Sequence, residues 1–287
     1  MGLPETFEAV RPSIVAFISR VTVMPPGAPA PLFPSIVGTG FFVHDGGIVA
    51  TNRHVIDALE RLNQLPPNPA TGASAVGALV FTEIRSGGGH QEIGMLNVDI
   101  RGWNALGQFE TGSPWFGESV PDLGFAQLDV CDVPVLRVTT EPNVLRAGVS
   151  IATAGFPEGS DTVTFHNRIT QLTPVLRHGI ISSVFPFAGP NPHGFSIDTL
   201  LQGGASGSPV FKTDEALVVG MIASQIKNTN YTVCVPSNLL AAALTSALLN
   251  WPKFEGVPTL GDLITSGEQS AEEMLRWDAY LIVPPAP

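Results

Sequence analysis

The chain has 287 residues, 44% of them hydrophobic, with 30 Gly and 26 Pro; this length holds one large domain or two small ones, and the composition suits short strands joined by tight turns rather than a disordered chain. Its 14 basic and 25 acidic residues give a formal net charge of -11, which repels phosphate backbones and anionic lipid surfaces and so speaks against nucleic-acid and membrane partners. The start at Met1 lacks the basic residues and apolar stretch of a secretory signal, and no run of about 18 apolar residues is present to span a bilayer, so the expected location is the cytoplasm.

Residues 5–18 predict a short helix followed by an extended segment from Ser13, and the Pro-rich stretch 24–34 predicts a surface loop, because proline cannot donate to a sheet ladder. Between Ile36 and about Val235, apolar or β-branched runs recur between Gly, Pro, Asn and Asp clusters. The clearest are Val37–Val43, Gly47–Ala50, Leu79–Glu83, Leu123–Val130, Val149–Ala154, Gly179–Val184, Ser208–Phe211, Leu217–Ala223 and Tyr231–Val235. Strands at this spacing, with little helical periodicity between them, predict a sandwich or barrel. The stretch 60–120 is less legible, and Ser86–His90 within it reads as a hairpin tip or flexible loop.

Towards the end the period changes to a helical one over Ser237–Asn250, with Ser237 as N-cap, and Ser266–Leu281 predicts a further helix with Glu268, Glu272 and Glu273 near its start. That last helix either covers an edge of the core or contacts a partner or a second copy. The expected division is an N-terminal helix, strand and loop over 1–35, a main domain over 36–250, and a partly helical extension over 251–287. Cys131 and Cys234 both sit in apolar, strand-like stretches and read as buried free thiols, although only their separation in space decides whether they pair.

The sharpest chemical feature is Gly203-Gly204-Ala205-Ser206-Gly207-Ser208-Pro209. Glycines around a serine admit positive φ angles and close approach of a substrate, and in such a loop the amides of Gly204 and Ser206 can converge on one oxyanion. A serine hydroxyl also needs a base to take its proton. His54 is the candidate, because it follows two predicted strands joined at Asp45-Gly46-Gly47 and ends the stretch Thr51-Asn52-Arg53-His54 at a barrel rim; His44, His90, His166, His178 and His193 lack that context. A carboxylate must then fix the tautomer and stabilise the imidazolium. Asp122 opens the alternating strand Asp122-Leu123-Gly124-Phe125 and is preferred over Asp99, Asp129 and Asp132.

The order His54, Asp122, Ser206 with these contexts resembles the trypsin-like peptidases, and within them the Do/HtrA-type bacterial branch. Gly155-Phe156-Pro157 is similar to that branch's Gly-aromatic-Pro turn, Gly179-Ile180-Ile181-Ser182 to its Gly-Ile-Val-Ser strand, Ile197-Asp198-Thr199 to its Thr-Asp-Ala element, and Val235-Pro236-Ser237-Asn238 to its Ile-Pro-Ser-Asn, so the likeness spans roughly 36–240. The resemblance implies two six-stranded antiparallel β-barrels of the chymotrypsin type with a C-terminal helix, His54 and Asp122 in the first and Ser206 in the second. It implies a serine endopeptidase acting on polypeptides through an acyl-enzyme, without cofactor. No metal-ligand pattern or phosphate loop is visible either.

Three positions depart from the family. Ala205 stands where digestive trypsins carry the aspartate that pairs with a new N-terminus, Ser208 replaces a glycine, and Gly124 replaces an alanine. With 37 residues after position 250, no PDZ module is expected there. The family's primary pocket maps near Leu200 and Ile222-Ala223-Ser224, where no acidic group awaits Lys or Arg, so small or medium apolar side chains are expected there; His193 or Lys227 could add a polar contact. Strand Met221–Ser224 would pair with substrate backbone. Two other readings stay open on sequence alone: a silent or latent fold that binds peptides or regulates, and an esterase using the same triad.

Overall fold

The computed structural model describes residues 1–23, 33–69, 71–85, 91–106, 121–141, 143–165, 168–169, 173–199, 203–225, 229, 231–252, 255–266 and 280–282. Its first half contains α1 (Leu3–Val10), β1 (Ile14–Ser19), β2 (Val21–Val23), β3 (Ser35–His44), β4 (Ile48–Thr51), α2 (Arg53–Asn63), β5 (Val76–Arg85), β6 (Gln91–Val98), β7 (Ile100–Ala105) and β8 (Gly124–Leu128). The second half contains β9 (Arg137–Val138), β10 (Ser150–Gly155), β11 (Thr164–Phe165), β12 (Arg168–Ile169), β13 (Val175–Phe185), β14 (Gly194–Ile197), β15 (Pro209–Lys212), β16 (Leu217–Gln225) and β17 (Thr232–Pro236). After these come α3 (Ser237–Asn250), α4 (Leu260–Ser266) and β18 (Tyr280–Ile282).

All six residues of β1 are buried, which a strand achieves only when both of its faces are covered. It lies inside a seven-stranded sheet of order β6-β5-β1-β3-β4-β8-β7. One face of that sheet, with Phe17, Phe42 and Val49, packs under Val55, Ile56 and Leu59 of α2. The opposite face joins the second half through an apolar seam that includes Phe41, Phe81, Phe156, Phe211 and Met221, with the Phe81 and Phe156 ring centroids 5.2 Å apart. The second sheet runs β15-β10-β13-β14-β17-β16 and closes through a β15–β16 pairing, giving a six-stranded barrel to which β9 adds in parallel. The expected pair of antiparallel barrels is therefore present. The second is closed, whereas the first is a half-barrel with seven strands in place of the expected six.

Several local expectations change. The stretch after Thr51 is an 11-residue helix rather than a strand end, because Val55, Ile56 and Leu59 share one face that finds an apolar sheet to cover. Helix α3 begins at Ser237 as a helical residue, with Pro236 at the N-cap and no side-chain cap. The helix expected over Ser266–Leu281 falls almost wholly outside the described residues; at its two ends Ser266 closes α4, a helix that was not expected, and Tyr280–Ile282 pair in parallel with β2. Residues 267–279 lie outside the described residues, as do 24–32 of the Pro-rich stretch, Ser86–His90, His166, Leu200 and Lys227.

Both cysteines are unpaired. Cys234 is buried, while Cys131 is partly exposed and lies outside any strand, bridging to Thr259. Burial pushes both thiols up, aided at Cys131 by the charges of Asp132, Asp262 and Asp45. Among the described residues, no helix is long and apolar enough to cross a membrane.

Candidate active site

Strand register brings the first two site residues together. Strands β4 and β8 pair antiparallel with Thr51 opposite Gly124, so the chain leaving β4 into α2 emerges beside the chain entering β8. His54 is the second residue of α2, and Asp122 lies just before β8. The early amides of a helix have no partner within it. Asn52, at the N-cap, makes no side-chain cap; its Nδ2 donates to the Asp122 carbonyl at 2.9 Å. Asp122 supplies the missing acceptor, its Oδ1 taking the His54 amide at 3.0 Å and its Oδ2 lying 2.6 Å from His54 Nδ1.

One carboxylate thus holds both the backbone and the ring of the histidine. An ionised carboxylate only accepts, so the ring proton sits on Nδ1 and the Nε2 lone pair is left to act as base. The aspartate side chain is 16% exposed and the histidine 51%, which keeps the orienting group sheltered and the reactive group accessible. Two of the three competing carboxylates are engaged elsewhere, Asp99 with buried Arg20 at 2.6 Å and Asp129 with Arg101 at 2.7 Å.

Ser206 is half-buried in the loop leading to β15. Gly204 and Gly207 have φ of +90° and +86°, angles that side-chain-bearing residues resist. A Cβ on Gly207 would also stand 2.0 Å from the Thr39 carbonyl oxygen and 2.5 Å from Thr51 Oγ1. The loop therefore presses against the strand end that leads to His54. The Ser206 carbonyl accepts from the Thr39 amide at 2.9 Å, Gly207 donates to Ile222 at 3.1 Å, and Ile222 donates to Ser208 at 2.9 Å. Among the described residues, no group accepts from the amides of Gly204 or Ser206.

The departures from the family have local causes. A Cβ at Gly124 would lie 2.6 Å from Ile56 Cγ1, so the helix that carries His54 takes up the space of an alanine methyl. Ser208 is buried against Gly155, where a Cβ would come within 2.0 Å of its hydroxyl. Ala205 is buried in the second barrel's core at 2% exposure. Two resembling fragments meet directly: a Cβ at Gly179 would lie 2.4 Å from both Asp198 Oδ1 and Thr199 Oγ1, and Asp198 accepts from the Ile180 amide at 2.8 Å.

Of the expected specificity residues, Ile222 and Ala223 are buried and Ser224 is exposed. Met221 pairs with Pro209, and Ile222 spends its amide and carbonyl on the serine loop, so the open edge of β16 begins at Ala223 rather than at Met221. A separate cavity of about 470 Å³ is lined by His44, Gln127, Cys131 and Trp251 and shares no residue with this site. Thr39, Thr51 and Asn52 were not foreseen as parts of the site; the signal for Thr39 was its place between the glycines of Gly38-Thr39-Gly40.

The trypsin-like peptidase domain family matches residues 38–221, a span that contains His54, Asp122 and Ser206. This chain belongs to that family. No curated protein matches it. Among solved structures, this trypsin-like peptidase resembles the crystal structure of Deg5 at 16% identity and a TM-score of 0.50, covering 86% of this chain and 93% of that one. It resembles the serine endoprotease from Yersinia pestis at 14% identity and a TM-score of 0.52, covering 87% and 68%. It also resembles the HtrA-type protease AlgW with a decapeptide at 14% identity and a TM-score of 0.53, covering 87% and 68%. At such identities the likeness establishes the fold, that of the Deg/HtrA proteases.

Proposed function

We propose that this trypsin-like peptidase domain is a working serine endopeptidase, with Ser206 as nucleophile, His54 as general base and Asp122 as the residue that orients it. The observation that carries the reading is the double hold of Asp122 on His54, which leaves Nε2 as the only ring nitrogen able to accept a proton. In the first step Ser206 Oγ adds to the carbonyl carbon of a peptide bond as its proton passes to Nε2. The imidazolium so formed is stabilised by Asp122. The negative charge that develops on the carbonyl oxygen is met by the amides of Gly204 and Ser206. Collapse breaks the C–N bond, His54 returns the proton to the leaving amine, and a water deprotonated by His54 then releases the acyl group.

Polypeptides suit this site because the edge of β16 from Ala223 onward offers backbone groups to an extended chain. For the primary subsite we propose small or medium apolar side chains, since Ile222, Ala223 and Ser224 bear no charge to hold Lys or Arg. We further propose that the peptidase unit spans 36–250, flanked by 1–35 and 251–287.

The test is labelling of wild type and Ser206→Ala by a fluorophosphonate probe, followed by digestion of an unfolded protein and mapping of the cut sites. Labelling of wild type alone, with cuts after apolar residues, is expected. Labelling of neither protein would mean a latent or peptide-binding module, and ester turnover without peptide cuts would mean an esterase.

A further inference from the structure

A serine loop must hold two amides on one point, yet the residue before Ser206 is an alanine with no charge to anchor it. Burial of Ala205 fixes a methyl group, but it does not set the rotation of the peptide planes on either side. The Ala205 carbonyl accepts from the Ser208 amide at 3.0 Å, which holds the plane carrying the Ser206 amide, and Thr39 of β3 reaches the planes before and after that one. Its hydroxyl lies 2.7 Å from the Gly204 carbonyl oxygen, to which it donates, and its amide donates to the Ser206 carbonyl at 2.9 Å. Peptide groups are planar, so holding these two oxygens orients the planes on both sides of the Ala205–Ser206 peptide, the one that carries the Ser206 amide.

The hydroxyl's direction is fixed as well. Phe156 donates its amide to Thr39 Oγ1 at 3.2 Å, which occupies the hydroxyl as acceptor and commits its single proton to Gly204. The Thr51 hydroxyl donates to the Thr39 carbonyl at 2.8 Å, and Thr51 ends the strand that leads to His54. Thr39 is fully buried, and its amide, its carbonyl and both roles of its hydroxyl are all used at this junction.

We infer that Thr39 is a positioning residue for the oxyanion site, locking the Gly204–Ser206 segment of the second barrel to the first sheet. The inference rests on the reading of Ser206 as nucleophile. It takes the place of an ion pair at position 205 with a hydrogen-bonded clasp from another strand. Its consequence is selective. Contacts that shape only the charge-stabilising geometry lower kcat, whereas ground-state binding along the β16 edge is left alone.

The experiment compares Thr39→Val and Thr39→Ser with wild type in kcat, KM, melting temperature and affinity for a peptide boronate, which forms a tetrahedral adduct on the nucleophile. Valine keeps the shape and removes the hydroxyl, and kcat should fall about tenfold or more with KM changed by less than about twofold. Boronate affinity should fall in parallel with kcat. Serine keeps the hydroxyl and should restore kcat to within about threefold of wild type. Full kcat in Thr39→Val, or equal losses in Thr39→Val and Thr39→Ser, overturns the assignment while leaving the triad reading intact. An unlabelled wild type overturns the triad reading and this inference with it. If Thr39→Val does not fold, Thr39→Cys keeps the bulk with only a weak donor, and full kcat in that variant is equally decisive against the clasp.

Discussion

Asp122 shows how much one side chain can fix. Because its two oxygens take the amide and the ring of the same histidine, an asparagine at 122 can still accept from the His54 amide but no longer imposes a proton on Nδ1. Asp122→Asn should therefore fold normally and lose about 10⁴-fold in kcat at neutral pH, as expected when the wrong tautomer is held. A melting temperature near that of wild type together with the lost turnover would check it; an unchanged kcat would remove Asp122 from its role. The three proposed triad positions stood out as candidates because each chemistry demands a local signature: glycines around Ser206, a strand end before His54, a strand opening at Asp122. Thr51 and Asn52 carried no such signature, and Thr39 only its place between Gly38 and Gly40. Two of their partners, Gly204 and Asp122, are remote in the chain, and only folding makes those pairings visible.

Elements were legible in proportion to how apolar their periodicity is. The run Leu239–Leu249 announced α3, whereas α2 hid behind Arg53, Asp57, Glu60 and Arg61 on its outer face, and β7, at the end of its sheet, buries none of its residues fully. Helix α4 was missed because its signal is a cap rather than a hydrophobic stripe. Thr259 Oγ1 accepts from the Asp262 amide at 3.0 Å, and Asp262 Oδ2 accepts from the Thr259 amide at 3.0 Å and from its hydroxyl at 2.7 Å, a reciprocal capping box. This segment shelters Cys131, whose amide donates to Pro258 and whose carbonyl accepts from Leu260.

The Thr259 hydrogen bonds hold the Asp262 carboxyl below the usual carboxylate range. A group lowered in the folded state contributes above its unfolded value, and its contribution fades as pH falls through the folded one. Thr259→Ala should thus speed the reaction of Cys131 with dithiodipyridine at pH 7. The difference from wild type should shrink on acidification through and below the carboxylate range. Equal rates at pH 7 would show that the cap does not shelter the thiol.

At the scale of the whole molecule, short apolar runs with Gly and Pro between them made a barrel architecture readable. Strand order and closure were not readable, because β1 finds its partner β5 across more than a helix's length of intervening chain, and β15 closes on β16 while also pairing back to β10. The candidate site spans the line between the halves, with Thr39 and Thr51 on one side and Gly204, Ser206 and Phe156 on the other. Those bonds, like the apolar seam, depend on how the halves sit, while the clusters around Phe42 in the first half and Phe195 in the second each draw on one half alone. Peptidase activity should then be lost on heating at a lower temperature than global unfolding followed by circular dichroism. Coincident midpoints would mean that the seam is no weaker than the barrels.

On the proposed function, the same junction would make the distance between the halves a control variable for turnover. A molecule that wedged the seam open would slow hydrolysis without competing with the substrate, and one that clamped it shut would protect the enzyme from heat without touching the cleft.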